Sequence, residues 1–148
     1  MITVVGNLKG GTGKSTVAFN LATWLVHRGR SITLFDLDPQ FTLRDVVDVR
    51  LQEGFHPLLP HAGDAESFKL FTKSLTDEVI IDVSVADKSS MLSAISCADR
   101  VIIPCAPSQA DIWSTQKFLS IIKDEAVANK KRKVVAFINR ADTHHLVI

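Results

Sequence analysis

Lys9-Gly10-Gly11-Thr12-Gly13-Lys14-Ser15-Thr16 (KGGTGKST) follows a short apolar run, Ile2 to Val5, and opens a helix-like stretch. Glycine-rich sequence ending in GKS/T between a strand and a helix is the context of a phosphate-binding loop. The glycines let successive backbone N–H groups turn inward around phosphate oxygens. The following helix adds its positive N-terminal end. On this reading Gly10, Gly11, Thr12, Gly13, Lys14, Ser15 and Thr16 surround the phosphates of a nucleotide. Lys14 reaches the β- and γ-phosphates, and the Ser15 hydroxyl ligates Mg²⁺. The competing reading, a glycine-rich turn that binds nothing, is disfavoured by GKST in this setting.

The usual pattern G-x-x-x-x-G-K-[ST] requires glycine at position 8, where this chain has Leu8. The added lysine is Lys9. With these two features the loop resembles that of the deviant Walker A ATPases of the ParA/MinD family. The resemblance implies that Lys9 is the signature lysine, which reaches across a dimer interface to the phosphates of the partner's nucleotide. The bland reading of Lys9 is a solvated loop charge.

Outward from the loop, Asp36-Leu37-Asp38-Pro39-Gln40 follows a second apolar run. Two carboxylates at i and i+2 on a strand end project the same way, and Pro39 then forces the chain out of the strand. DLDPQ is similar to the family's second motif. The resemblance implies that Asp38 is catalytic: it positions or activates the attacking water and helps hold the water shell of Mg²⁺. Asp36 is implied as a supporting residue. Family members usually place glycine, asparagine or serine in the switch segment that follows. Here it reads Phe41-Thr42-Leu43, with Thr42 the residue able to report on Mg²⁺ and γ-phosphate.

Val79-Ile80-Ile81-Asp82 is an apolar strand ending in aspartate, the shape of a Walker B motif. Asp82 is expected to hold Mg²⁺ through water, opposite Ser15. A proline pair often follows this aspartate in the family; Val83-Ser84-Val85-Ala86-Asp87 follows here, with Asp87 expected as an N-cap. Val101-Ile102-Ile103-Pro104-Cys105-Ala106-Pro107 resembles the family's next strand and its exit. Pro107 is the candidate for contact with the nucleotide base or the dimer face, against a simple strand terminator. Phe137-Ile138-Asn139-Arg140-Ala141-Asp142 leaves two readings open. Asn139 can hydrogen-bond an adenine edge. Asn-Arg-x-Asp is also one residue from the Asn-Lys-x-Asp by which GTPases read guanine. KGGTGKST and DLDPQ favour ATP.

The 148 residues suit one domain. A 46% hydrophobic and 22% charged composition is that of a globular chain. Net charge is +1, so charge alone makes no case for nucleic acid or membrane. No apolar run approaches the ~20 residues needed to span a bilayer. Cys97 and Cys105 form neither a disulfide framework nor a zinc spacing, and are expected as buried small hydrophobes. Apolar, β-branched runs at Ile2–Gly6, Ser31–Phe35, Val79–Val83, Val101–Cys105 and Val134–Ile138 predict strands, most of them buried on both faces.

Helical stripes lie between these runs. They are Val17/Ala18/Leu21/Ala22/Leu25, stopped by Gly29; Met91/Leu92/Ile95/Ala98; Ile112/Leu119/Ile122/Ala126; Phe68/Phe71/Leu75; and a short start at Leu43/Val46/Val47. Trp24 and Trp113 are expected to pack. The basic run Lys130-Lys131-Arg132-Lys133 either touches DNA phosphates or caps a helix C-terminus.

Alternating strands and helices predict an α/β, three-layer P-loop NTPase fold with a mainly parallel, doubly wound sheet. The Walker B strand should lie beside the loop strand, as the resemblance implies. The tail His144-His145-Leu146-Val147-Ile148 has no stop signal, and relatives run longer, so residues 1–148 are expected to be one P-loop ATPase domain lacking its C-terminal part. The resemblance implies Mg²⁺-dependent ATP hydrolysis as a switch. It further implies a homodimer in the ATP state, nonspecific DNA binding, a centromere-binding adaptor protein, and a role in plasmid or chromosome partition. The expected location is cytoplasmic, with nucleoid association and no membrane contact. The rivals are a MinD-like or cargo-positioning ATPase, a metabolic P-loop or iron–sulfur-carrier relative, and a nucleotide-binding scaffold without turnover.

Overall fold

The computed structural model describes residues 1–72, 75–125 and 131–141. Five strands form one sheet: β1 (Ile2–Val5), β2 (Ile32–Asp36), β3 (Glu78–Asp82), β4 (Arg100–Cys105) and β5 (Lys133–Ile138). Their order is β2-β3-β1-β4-β5, and every pairing is parallel. The Walker B strand β3 lies directly beside β1, as expected. Parallel pairing needs crossovers, and these are supplied by α1 (Lys14–His27), α2 (Thr42–Gln52), α3 (Ala65–Lys69), α4 (Lys88–Cys97) and α5 (Gln109–Asp124).

Successive side chains on a strand face opposite ways, and here they feed two cores. Val5, Leu34 and Ile80 pack with Ala18, Ala22, Leu25, Leu43 and Val47 of α1 and α2. Val4, Val79, Ile81, Val101 and Ile103 pack with Phe68, Met91, Ile95, Phe118 and Ile122 of α3, α4 and α5. The result is a three-layer, doubly wound sheet. Local signals agree with it. Gly29 takes φ +76° just past α1. There Gly29 N–H donates to Val26 O (2.9 Å) and Arg30 N–H to Leu25 O (3.0 Å), closing the helix end. Asp87 caps α4, accepting from Ser90 N at 3.1 Å.

Several expectations fail, each for a packing reason. The buried face of α5 is Asp111, Thr115, Phe118 and Ile122. Ile112 and Leu119 are exposed. The stripe is turned by one residue, about 100°, because α5 buries polar groups against the segment after β1. Ala126 lies outside the described residues. Leu75 is outside α3 and 99% exposed, and Val46 faces solvent on α2. Trp24 and Trp113 are exposed rather than packed, and Trp24 carries the Arg28 guanidinium 4.9 Å over its ring. Among the described residues β5 is the outermost strand, with Val134, Val135 and Ile138 exposed. Cys105 is buried and Cys97 half-buried.

Of the basic run, Lys130 lies outside the described residues. Arg132 is a capping residue: it donates to Ile122 O (3.0 Å) near the end of α5 and to Ala98 O (3.3 Å) after α4. Asp142 and the tail His144–Ile148 also lie outside the described residues. No described helix is long and apolar enough to cross a membrane.

Candidate functional site

β1 is flanked by β3 on one side and β4 on the other, so the chain changes direction across the sheet at its carboxyl end. Ligands of doubly wound sheets bind at such a point. The glycine-rich loop leaves β1 there and leads into α1 at Lys14. A cavity of about 330 Å³ opens above it, lined by Gly10, Gly11, Gly13, Lys14, Ser15 and Thr16, with Asp38 and Thr42 across from them.

Gly13 shows why the loop needs glycine. Its φ is +94°, and a Cβ there would sit 2.4 Å from Asn139 Nδ2. Asn139 donates that same amide to Thr12 O at 2.9 Å and so ties the end of β5 to the loop. Gly13→Ala is therefore expected to destabilise the protein by about 1–3 kcal/mol. It should also weaken nucleotide binding at least tenfold, an estimate from the same strain, read by urea unfolding and by nucleotide titration.

The ends of β1, β2 and β3 are level: Val5 and Asp36 both pair in register with Asp82. Ser15 Oγ donates to Asp82 Oδ2 at 2.6 Å. Asp82 Oδ1 is buried with no hydrogen-bond partner among the described residues. Burial, seconded by the nearby Asp36 and Asp38 carboxylates and opposed by the Ser15 hydroxyl and the Lys14 ammonium, pushes Asp82 up to about 7. A buried carboxylate with one orphaned oxygen, bonded to a hydroxyl that can also ligate, fits a divalent cation held by Ser15 and Asp82.

A stability prediction follows from that raised value. Between the ordinary aspartate range, about 4, and about 7 the folded chain holds a proton that the unfolded chain has lost. Its contribution to stability therefore falls as pH rises through this window. Asp82→Asn removes the penalty. The ligand-free variant should be about 1–3 kcal/mol more stable than wild type at pH 8, with the difference shrinking steadily towards zero at about pH 4, by urea unfolding. A variant less stable at pH 8 would contradict this account of Asp82.

Lys14 Nζ donates to the carbonyl of Lys9 at 3.1 Å. Burial lowers its pKa, against the pull of Asp82 and Asp38. Asp36 is fully buried, and its two oxygens accept from Asp38 N (3.1 Å) and Arg44 N (3.0 Å). Burial raises its pKa. Asp36 thus holds the backbone of the turn, while Asp38, past the strand end, faces the cavity and accepts from Gln40 N at 2.9 Å. The two acids do not present as a pair to the cavity, as their i, i+2 spacing predicted, because β2 ends at Asp36.

The fold and loop geometry agree with direct comparison. The chain matches the CobQ/CobB/MinD/ParA nucleotide binding domain family over residues 3–146. It belongs to this family. Among curated relatives it is 32% identical over 147 residues to "Maintenance of carboxysome distribution protein A" of Halothiobacillus neapolitanus, covering 93% of this chain and 65% of that protein. It is 44% identical over 131 residues to "Chromosome-partitioning ATPase Soj" of Thermus thermophilus, covering 68% of this chain and 52% of that one. The chain therefore spans about two thirds or less of these relatives. A solved plasmid partition protein of Borrelia burgdorferi bound to AMPPNP superposes with TM-score 0.75 at 18% identity, covering 96% of this chain and 75% of that one. The pNOB8 ParA bound to nonspecific DNA superposes with TM-score 0.70 at 18% identity, covering 95% and 68%. At these identities the superpositions establish the fold.

Within this ParA/MinD-type domain, five predicted site residues, Lys9, Thr12, Asp82, Pro107 and Asn139, do not line the cavity. Pro107 is exposed and does not line it. Asn139 meets the loop from behind, through Thr12 O, instead of lining the cavity. Its neighbour Arg140, at φ +58°, lines the cavity in its place. Thr12 is buried, with Oγ1 unpartnered among the described residues. Lys9 turns towards its own α5, with Nζ 2.7 Å from Asp111 Oδ2.

Sequence reading missed Asn7, Ser84, Val85, Arg140 and Asp111. Asn7 is buried. Its Nδ2 donates to Pro104 O and Thr115 Oγ1, both at 3.0 Å, and its Oδ1 accepts from Leu8 N at 2.7 Å. The pattern Ser108-x-x-Asp111 at a helix start was the available signal for Asp111. Nothing in the sequence distinguishes Asn7 from an ordinary turn residue.

Proposed function

We propose that this chain is a Mg²⁺-dependent ATPase switch of the ParA type, in which ATP closes a homodimer and hydrolysis releases it. The observation that carries the reading is the pair of lysines on one loop. Lys14 faces the cavity of its own protomer, and Lys9 stands at the loop's head with 44% of its side chain exposed.

ATP phosphates fit against the N–H groups of Gly10 to Thr16. A Cβ at Gly10 or Gly11 would meet nothing within 4 Å, so backbone and phosphate can approach closely there. Ser15 and Asp82 would hold Mg²⁺, which when bound neutralises charge on the β- and γ-phosphates. Asp38, which lines the cavity, would orient the attacking water. As the water oxygen bonds to the γ-phosphorus, the bond to the ADP oxygen breaks and one water proton is lost to bulk or to Asp38. Lys14 compensates charge on the same protomer's phosphates. Lys9 of the partner subunit supplies a second cation in trans, as an arginine finger does. Asn139 steadies the loop, and Arg140, on the cavity wall, would contact the base or ribose. ATP rather than GTP is the proposed nucleotide.

Nonspecific DNA and a centromere-binding adaptor protein are the proposed partners, and the proposed role is plasmid or chromosome partition with nucleoid association. The DNA-bound structural neighbour and the Soj-named relative support this role. The carboxysome-distribution relative supports a second reading, the positioning of another large cargo by the same switch. The proposal treats residues 1–148 as one nucleotide-binding domain.

Light scattering with ADP, ATP, a nonhydrolysable ATP analogue and GTP tests it. A dimer with the adenine triphosphates and a monomer with ADP are expected. A monomer in all four states, or a response to GTP alone, contradicts the proposal.

A further inference from the structure

The contact between Lys9 and Asp111 is built, not incidental. The Asp111 side chain is 3% exposed and sits in the first turn of α5. Its Oδ2 accepts from the Lys9 ammonium and from Ser108 Oγ. An acid at this position of a capping box ordinarily reaches back to the backbone N–H of the cap residue. Here the Ser108 N–H donates instead to Ala106 O at 2.9 Å. The carboxylate is therefore committed to Lys9 and the serine hydroxyl. The lysine and the hydroxyl together hold the Asp111 carboxyl below the usual carboxylate range.

The ground on either side is fixed. Asn7 accepts from Ser114 Oγ (3.2 Å) and donates to Thr115 Oγ1, which fastens the next turn of α5 to the chain two residues before Lys9. On the loop side the Lys9 carbonyl accepts from Lys14 Nζ. Lys14 also borders the cavity, so its ammonium links the backbone under Lys9 to any phosphate bound there.

We propose that Asp111 is the positioning residue for Lys9: it holds the trans-acting ammonium on its own protomer, so that each subunit must give up this ion pair before its lysine can serve the other. The inference rests on the trans role proposed for Lys9. Under it, the loop reports occupancy to Lys9 through Lys14, and Asp111 sets how far the resting protein lies from the dimer. Charge-assisted hydrogen bonds at a buried acid are strong enough to act as such a threshold.

The test compares wild type, Asp111→Asn and Ser108→Ala. Protein concentration is titrated in light scattering with Mg²⁺ and a nonhydrolysable ATP analogue, and thermal melts of each chain run alongside. Asp111→Asn should dimerise at about tenfold lower protein concentration than wild type, the expected effect of losing an ion pair whose lysine is half exposed to solvent on each of two subunits. Ser108→Ala removes the cap but keeps the ion pair; it should lower the melting temperature without a comparable shift in the midpoint. In a Lys9→Ala background Asp111→Asn should shift nothing. Asp111→Ser, neutral and a good residue for a helix start, serves if Asp111→Asn does not fold, and the same shift is expected. A wild type that dimerises while the neutral variants keep its midpoint, or move to higher concentration, overturns the positioning role and leaves the switch standing. A wild type that never dimerises overturns both.

Discussion

Lys9→Ala is expected to lower ATP turnover by about 10³-fold, the scale of a cation supplied in trans to phosphoryl transfer. ATP binding by the monomer should stay within about threefold of wild type, because an exposed charge outside the pocket adds little to ground-state binding. The split follows from the two lysines' positions. Lys14 lines the cavity and is placed by burial among Asp82 and Asp38. Lys9 does not line its own protomer's cavity; its ammonium is directed at α5. For a residue whose ammonium lies outside the binding site of its own chain, a second site is the direct route to the chemical step, and the dimer provides one. If Lys9 were a solvated loop charge, turnover would change by less than about threefold. Steady-state kinetics with and without excess ATP separate the two, since loss of transition-state contact lowers kcat while loss of ground-state binding raises KM.

Asp38→Ala is the second large effect. Turnover should fall about 10²–10³-fold, the range for removing a group that orients or deprotonates the attacking water. Nucleotide affinity should be little changed, because the loop and Ser15–Asp82 are untouched. The ATP-bound dimer should persist rather than dissolve, since hydrolysis is what releases it. Asp38 suits this role because it faces the cavity, unlike Asp36, whose oxygens are both spent on backbone N–H groups of the following turn. Asp36→Ala should therefore act mainly on folding. A full rate of hydrolysis in Asp38→Ala would place the water-orienting group elsewhere and would favour a scaffold reading of the site.

Much of this was legible in the sequence because it depends on short-range pattern. KGGTGKST, DLDPQ and VIID each place a loop at a strand end, and continuous β-branched runs mark strands covered on both faces. The sheet and its parallel sense followed, and the adjacency of β1 and β3 came from the family resemblance. What failed depends on long-range packing. The face of α5 could not be read from its apolar residues, because its N-terminal half is held by Asn7, Ser114, Thr115 and Asp111, all polar. Trp24 and Trp113 occupy helix patterns yet face solvent. Asn139 was read towards a base, but its amide is spent on Thr12 O, a contact spanning most of the chain. The departures in the switch segments, Phe41-Thr42-Leu43 and Ser84-Val85, still place Thr42, Ser84 and Val85 on the cavity wall. Backbone geometry, not residue type, brings them there.

The most direct test of the central claim, that Lys9 acts across a dimer, is ATP hydrolysis by an equimolar mixture of Lys9→Ala and Asp38→Ala. Each variant alone should be nearly inactive. In a mixed dimer the site on the Lys9→Ala protomer keeps its own Asp38 and receives Lys9 from the other subunit. Random pairing in a symmetric dimer puts half the dimers in the mixed state with one working site each, so about a quarter of wild-type turnover should return. No recovery, with mixed dimers shown to form, would mean that Lys9 serves its own protomer, and the switch as described would be wrong.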